Sequence, residues 1–115
     1  MPHLVFGEGV DLEIISKKFS PIIVKSDDLI RIKDFYLNPA KNNALVSTLV
    51  IDEHHQDFFI EILKSDEKTT IRLYPLTDPK KTDSVKKAMV LVSQIILKEF
   101  PHLKITKTNL QDYIS

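Results

Sequence analysis

The chain contains no cysteine and no tryptophan, and only two of its 115 residues are glycine. Without cysteine there is no disulfide framework, no thiolate-ligated zinc and no thiol nucleophile. The two glycines, Gly7 and Gly9, cannot supply a G-x-G-x-x-G turn or a P-loop, so the common phosphate-cradling fingerprints are missing. Excess charge is lacking as well. Sixteen acidic residues balance sixteen basic ones, which argues against a dedicated non-specific nucleic-acid binder and leaves room only for a local basic patch. The longest apolar run, Ala88–Val92, falls far short of a membrane span, and Met1–Glu8 has neither the basic nor the apolar region of a signal peptide. A soluble, cytoplasmic single domain over residues 1–115 is the expectation.

Catalytic patterns are missing too. Ser47, Ser65, Ser84 and Ser93 have no motif that sets a histidine beside them, and there is no G-x-S-x-G elbow. His54 and His55 lie among Asp52, Glu53 and Asp57, which are ligand types for zinc or nickel, but adjacent histidines on a turn point apart. A polar, solvated turn is the simpler reading. No catalytic residue, no metal ligand set and no cofactor are therefore expected, and the chain reads as a non-enzyme.

What is present is regular structure. Hydrophobic residues make up 43% of the chain, enough for one ordinary core. The longest stretch without a turn signal is Asp78–Phe100, stopped by Pro101. At about 100° per residue, Val85, Ala88, Met89, Leu91, Val92, Ile95, Ile96 and Phe100 share one half of a helix, as in a helix that lies along a sheet. Asp78-Pro79 offers a start, and Asp83 a second one. Val90 and Leu97 fall on the far side, where the tail (Leu110, Tyr113, Ile114) or another chain has to cover them.

Leu29–Leu37, Ala44–Asp52, Asp57–Lys64 and Thr69–Tyr74 read as strands joined by short turns, which implies an antiparallel meander. Leu4–Phe6, Ile22–Val24 and His102–Thr106 are short extended segments available as further edges. Val10–Phe19 alternates like a strand, yet Leu12, Ile15 and Phe19 share a helical face, with acids early and lysines late, so a short helix is expected. The fold class is α+β: an antiparallel β-meander of four to five strands, a long C-terminal helix packed on one face and a short N-terminal helix.

Splitting the strands by parity assigns Ile30, Ile32, Leu45, Leu49, Ile51, Phe58, Ile60, Ile62, Ile71 and Leu73 to the face under the long helix. The second face then holds Arg31, Lys33, Phe35, Val46, Thr48, Val50, Phe59, Glu61, Leu63, Arg72 and Tyr74, too apolar for water alone. A bulge within Leu29–Leu37 would carry Phe35 across. The N-terminal helix, the C-terminal tail or a partner is expected to cover this face.

Three functional classes follow. The leading one is a non-catalytic interaction or accessory protein, bound to a protein partner or to its own copy through the second face, with Arg31, Lys33, Phe35, Phe59, Leu63, Arg72 and Tyr74 as its candidate residues. The alternative is a nucleic-acid-binding module that combines this basic-aromatic face with anion-binding Lys80, Lys81, Lys86 and Lys87, which oppose the dipole at the start of the long helix. The third is a carrier of an apolar small ligand held between sheet and helix. No membrane association is expected.

Overall fold

In the computed structural model, which describes residues 1–114, the four segments of the expected meander are strands, and the ambiguous Val10–Phe19 segment forms a helix over Leu12–Lys18. The order is β1 (His3–Phe6), α1 (Leu12–Lys18), β2 (Ile22–Lys25), β3 (Leu29–Leu37), β4 (Asn43–Ile51), β5 (His55–Lys64), β6 (Thr69–Leu73), α2 (Asp83–Glu99) and β7 (Ile105–Thr108), followed by a single 3-10 turn at Gln111–Tyr113. The class is α+β, but the sheet has seven strands rather than four to five, in the order β2-β3-β4-β5-β6-β1-β7. Every neighbouring pair is antiparallel. The long central strands form the meander, while β1, β2 and β7 have four residues each, β2 and β7 at the two edges and β1 between β6 and β7. Four residues carry too little alternation to separate an edge strand from a loop.

Local chemistry sets the helix ends. Asp11 caps α1 by accepting from the Glu13 N–H (3.0 Å), and Lys17 and Lys18 occupy its last turn, as the dipole favours. Before α2, Lys80 N–H donates to Gln56 Oε1 (2.7 Å) and Asp78 takes a positive φ of 31°, so Asp78–Lys81 runs as a loop against β5. The cap is Thr82, whose hydroxyl accepts from the Val85 N–H (3.3 Å), and Asp83 opens the helix. Asp78-Pro79 therefore does not start it. At Gly9 the chain passes so close to the β5–β6 turn that a Cβ would sit 1.8 Å from the Ser65 carbonyl oxygen. No other residue fits there without moving backbone. The buried Thr69 hydroxyl ties the same crossing by donating to Glu8 O (2.8 Å) and accepting from Val10 N (3.1 Å).

Both helices lie on one side of the sheet: α1 contacts β3 and α2, and α2 contacts β3, β4 and β6. Beneath them Leu4, Phe6, Ile30, Ile32, Ala44, Val46, Val50, Phe58, Ile60, Ile62, Ile71 and Leu73 are closed off from water, with Val85, Ala88, Met89, Val92 and Ile96 of α2 pressed onto them. Each large aliphatic group buried this way contributes about 1.5–3 kcal/mol. Val90 is buried as well, in the cluster that holds Leu103 and Leu110, and the C-terminal turn contacts α2. Glu99 is held by Lys18 at 3.3 Å, which links the two helices.

Two face assignments are corrected by the register. Val46 pairs with Ile60 and Ala44 with Ile62, so Ala44, Val46, Thr48 and Val50 face the helices while Leu45, Leu49 and Ile51 face away. Both parities of β4 are apolar, so its own pattern could not choose between them. The helices take the smaller set. In β3, Ile32 opposes Thr48 and Asp34 opposes Ser47, so Lys33 is the extra residue of a bulge. Beyond it Phe35 opposes Val46 and turns to the helix side, its ring 5.7 Å from that of Phe19.

Candidate interaction face

The side of the sheet away from the helices is covered by no element among the described residues. Neither α1 nor the tail lies over it: α1 is beside α2, and the Gln111–Tyr113 turn packs on α2. The face carries Ile23 from β2, Arg31, Asp34 and Tyr36 from β3, Leu45, Ser47, Leu49 and Ile51 from β4, and Asp57, Phe59, Glu61 and Leu63 from β5. Thr70 and Arg72 continue it on β6, and His3 and Val5 on β1.

An aromatic row crosses it. The rings of Tyr36 and Phe59 are 6.4 Å apart at 68°, and those of Phe59 and Tyr74 are 6.3 Å apart at 87°, both edge-to-face. Ser47, which pairs with Phe59, is short enough to let Tyr36 and Phe59 meet across β4. Tyr74 is held beyond the end of β6 by its N–H to Phe59 O (2.9 Å), and Thr77 Oγ1 accepts from the Phe59 N–H (3.2 Å). The Phe59–Tyr74 end of the row is thus anchored through its backbone N–H groups.

Next to it sits a polar cluster. Arg72 Nε donates to Glu61 Oε1 at 2.7 Å, and Asn43 Nδ2 donates to Glu61 Oε2 at 3.0 Å. The Glu61 side chain is 6% exposed although it lies on the open face, whereas Arg72 is 41% exposed. Flanking side chains therefore wrap the carboxylate, and both its oxygens have donors, as a buried charge requires. Further along, Lys33 Nζ reaches Asp57 Oδ1 at 2.8 Å. This lysine, before all other influences, holds the Asp57 carboxyl below its ordinary range. At the rim His3 stands opposite Arg72, its Nε2 buried and without a hydrogen-bond partner among the described residues.

No known protein family, curated protein or solved structure matches this chain. The geometry carries the functional reading alone.

Of the seven face candidates, six are on the open side: Arg31, Lys33, Phe59, Leu63, Arg72 and Tyr74, with Phe35 beneath the helices. Tyr36, Leu45, Leu49 and Ile51 belong to the face and were missed, because their places depend on the bulge and on the β4 register. The four lysines are dispersed on the other side of the sheet. Lys81 pairs with Asp78 (2.7 Å), Lys86 Nζ lies 5.8 Å from the Tyr113 ring centre, and Lys80 and Lys87 are exposed. A hollow of about 280 Å³ brings Lys81 and Lys86 together with Met1, Pro2, Asn109 and Leu110. The α2 N-terminus is instead served by acids. Asp28 accepts from Ser84 Oγ (2.5 Å), Asp52 from Thr82 Oγ1 (2.8 Å) and Asp83 from the Tyr113 hydroxyl (2.5 Å), and Asp83 raises the pKa of Tyr113.

His54 and His55 stay apart in role: the His54 N–H is fixed by Asp52 Oδ1, and His55 Nε2 is 3.7 Å from Asp57. Among the described residues no group of three or more His, Asp or Glu side chains is arranged to hold a metal ion. No helix among them is long and apolar enough to cross a membrane. Ile60, Ile62, Met89 and Ile96 are fully buried in the core shared by the sheet and α2.

Proposed function

We propose that this is a non-catalytic interaction protein that self-associates through its open sheet face, two copies stacking face to face as a β-sandwich. One observation carries the reading: β4 turns Leu45, Leu49 and Ile51 outward and keeps Ala44, Val46, Thr48 and Val50 beneath the helices. An antiparallel sheet with one solvated face alternates apolar-in and polar-out. Here the outward set is the bulkier, and it adjoins Phe59, Leu63 and the aromatic row. Contiguous apolar surface rimmed by polar groups marks a site of association.

Size and charge favour a second copy as the occupant. Seven strands spaced about 4.8 Å, the central ones about 30 Å long, give a face of roughly 600–800 Å² in projection. A stable interface uses about 800 Å² of accessible surface per partner, and a corrugated face exposes more than its projection. The ion pairs Lys33–Asp57 and Arg72–Glu61 are closed within the face, so a two-fold axis sets no net field against its like. Aligned sheets stack about 10 Å apart, a distance that interdigitating Leu, Ile and Phe side chains fill.

Size-exclusion chromatography with light scattering tests this. The expected mass is at least twice the 13.2 kDa of one chain. Leu49→Lys, at the centre of β4 between Arg31 and Asp57, should halve the wild-type mass and leave the far-UV spectrum unchanged. A wild-type monomer at high concentration, or an unchanged mass for a folded Leu49→Lys protein, refutes the proposal.

A further inference from the structure

The two edges of the sheet differ, and the difference points to a second contact. Strand β7 is guarded: its sequence is Ile-Thr-Lys-Thr, Lys104 precedes it, and its register with β1 shifts between Val5 and Phe6. Lysines and bulges are the usual means by which an edge is kept from pairing with another chain. At the opposite edge β2 reads Ile-Ile-Val-Lys between Pro21 and Ser26, pairs in unbroken register with β3, and has no bulge and no proline or charge from Ile22 to Val24. Ile23 is 59% exposed on the open face and Val24 37% exposed on the helix side. The backbone groups pointing away from β3 are an open template for strand addition.

We infer that β2 is the pairing edge for β2 of a second copy, antiparallel about a two-fold axis through Ile23, which joins two seven-stranded sheets into one of fourteen strands. The strand matches its own reverse. Ile23 meets Ile23 of the other copy, Ile22 meets Val24, and Lys25 falls opposite Pro21 instead of another lysine. Reversal also brings the exposed acidic turn at Asp27 toward the other copy's α1 end, where Lys17 stands exposed beside Lys18, itself paired with Glu99. Charge complementarity thus selects the same antiparallel arrangement as the apolar match. The inference goes beyond the face-to-face reading and does not depend on it. Two perpendicular two-fold contacts, one on the face and one on the edge, close into a tetramer.

Because the chain has no cysteine, a single introduced thiol can crosslink only to its own copy. Residues directly opposite in an antiparallel pair have Cβ atoms about 4.5–5.5 Å apart, within a small adjustment of disulfide geometry. Ile23→Cys is compared with Thr106→Cys on the guarded edge, each under mild oxidation and each in the Leu49→Lys background that opens the face contact. The expected result is a covalent dimer from Ile23→Cys in at least tenfold excess over Thr106→Cys. As a second readout, Val24→Lys, which lies off the open face, should halve the wild-type mass in solution. A covalent dimer that forms only when the two cysteine proteins are mixed signifies β2–β7 pairing and overturns the inference. Equal crosslinking at both edges, or no crosslinking at Ile23 in a folded protein, overturns it too. In the last case the edge is left to a strand of a different protein, and the face-to-face proposal stands or falls separately by Leu49→Lys.

Discussion

Replacing Arg72 by Met separates a buried ion pair from a surface one. Glu61 lies on an uncovered sheet face, where a carboxylate would ordinarily be hydrated and its pairing would contribute about 0–1 kcal/mol. Its side chain is only 6% exposed, and its two oxygens are held by Arg72 and Asn43. Removing one partner of a buried pair costs about 3–5 kcal/mol. Two features reduce that figure here: Arg72 is 41% exposed and so partly screened, and the Asn43 hydrogen bond survives. The expected loss is about 2 kcal/mol, a large part of the roughly 5–15 kcal/mol that holds a domain together. In urea, with a slope of about 2 kcal/mol per molar, the midpoint should fall by about 1 M at constant slope. The measurement belongs in the Leu49→Lys/Val24→Lys background, which removes both the face and the edge contact, so that association does not enter the unfolding equilibrium. The double variant Glu61→Leu/Arg72→Met removes charge and counter-charge together and should recover most of the loss, since well-packed apolar residues replace buried pairs at little cost. A loss below about 0.5 kcal/mol for Arg72→Met, or a double variant no more stable than the single one, refutes the claim that Glu61 is a desolvated charge held by its partners.

Two further outcomes concern the frame. Thr82→Ala removes the α2 cap and a hydrogen bond to Asp52, and should cost about 1 kcal/mol at neutral pH by thermal melting. Asp52 is held below the ordinary carboxylate range, first by the His54 N–H and then by the Thr82 hydroxyl. Its stabilisation is therefore complete above the unfolded value of about 4 and is lost as pH falls through the lower folded value, so the gap between wild type and Thr82→Ala should narrow as the solution is acidified below the ordinary Asp range. Ile60→Ala empties a fully buried site between sheet and α2, and should lower the unfolding free energy by about 2–5 kcal/mol without a change in urea slope.

The sequence makes some of this legible, and the reasons it stops are local. Helix α2 is plain, because seventeen residues give an apolar face several turns in which to repeat. Its start is not, because what holds Asp78–Lys81 out of the helix is Gln56, a residue twenty-four positions away from Lys80. Strands β5 and β6 keep their parity, since Glu61 and Arg72 mark one face as polar. β4 has no such marker: only its partner decides which of its two apolar sides is buried. β3 fails at one residue, where the Lys33 bulge reverses Phe35 and Tyr36. Those same two strands supply Tyr36, Leu45, Leu49 and Ile51, so the candidate face was least legible where it is most apolar.

The distribution of charge favours a protein partner over a polyanion. A surface that reads nucleic acid needs cations free to meet phosphates next to aromatic rings on which bases stack. On the open face the rings are present, but Lys33 is closed onto Asp57 and Arg72 onto Glu61, and Arg31, exposed outside those pairs, is offset by Asp34 on the same strand. Lys80, Lys81, Lys86 and Lys87 are dispersed on the far side of the sheet with α2, where Asp28, Asp52 and Asp83 surround the helix start. A second sheet, by contrast, asks for neutrality, corrugation and bulk, and β4 together with the Tyr36–Phe59–Tyr74 row offers all three. In the proposed stack the closed ion pairs would act as register marks, because sliding the sheets would press Leu or Ile onto Glu61 and Arg72.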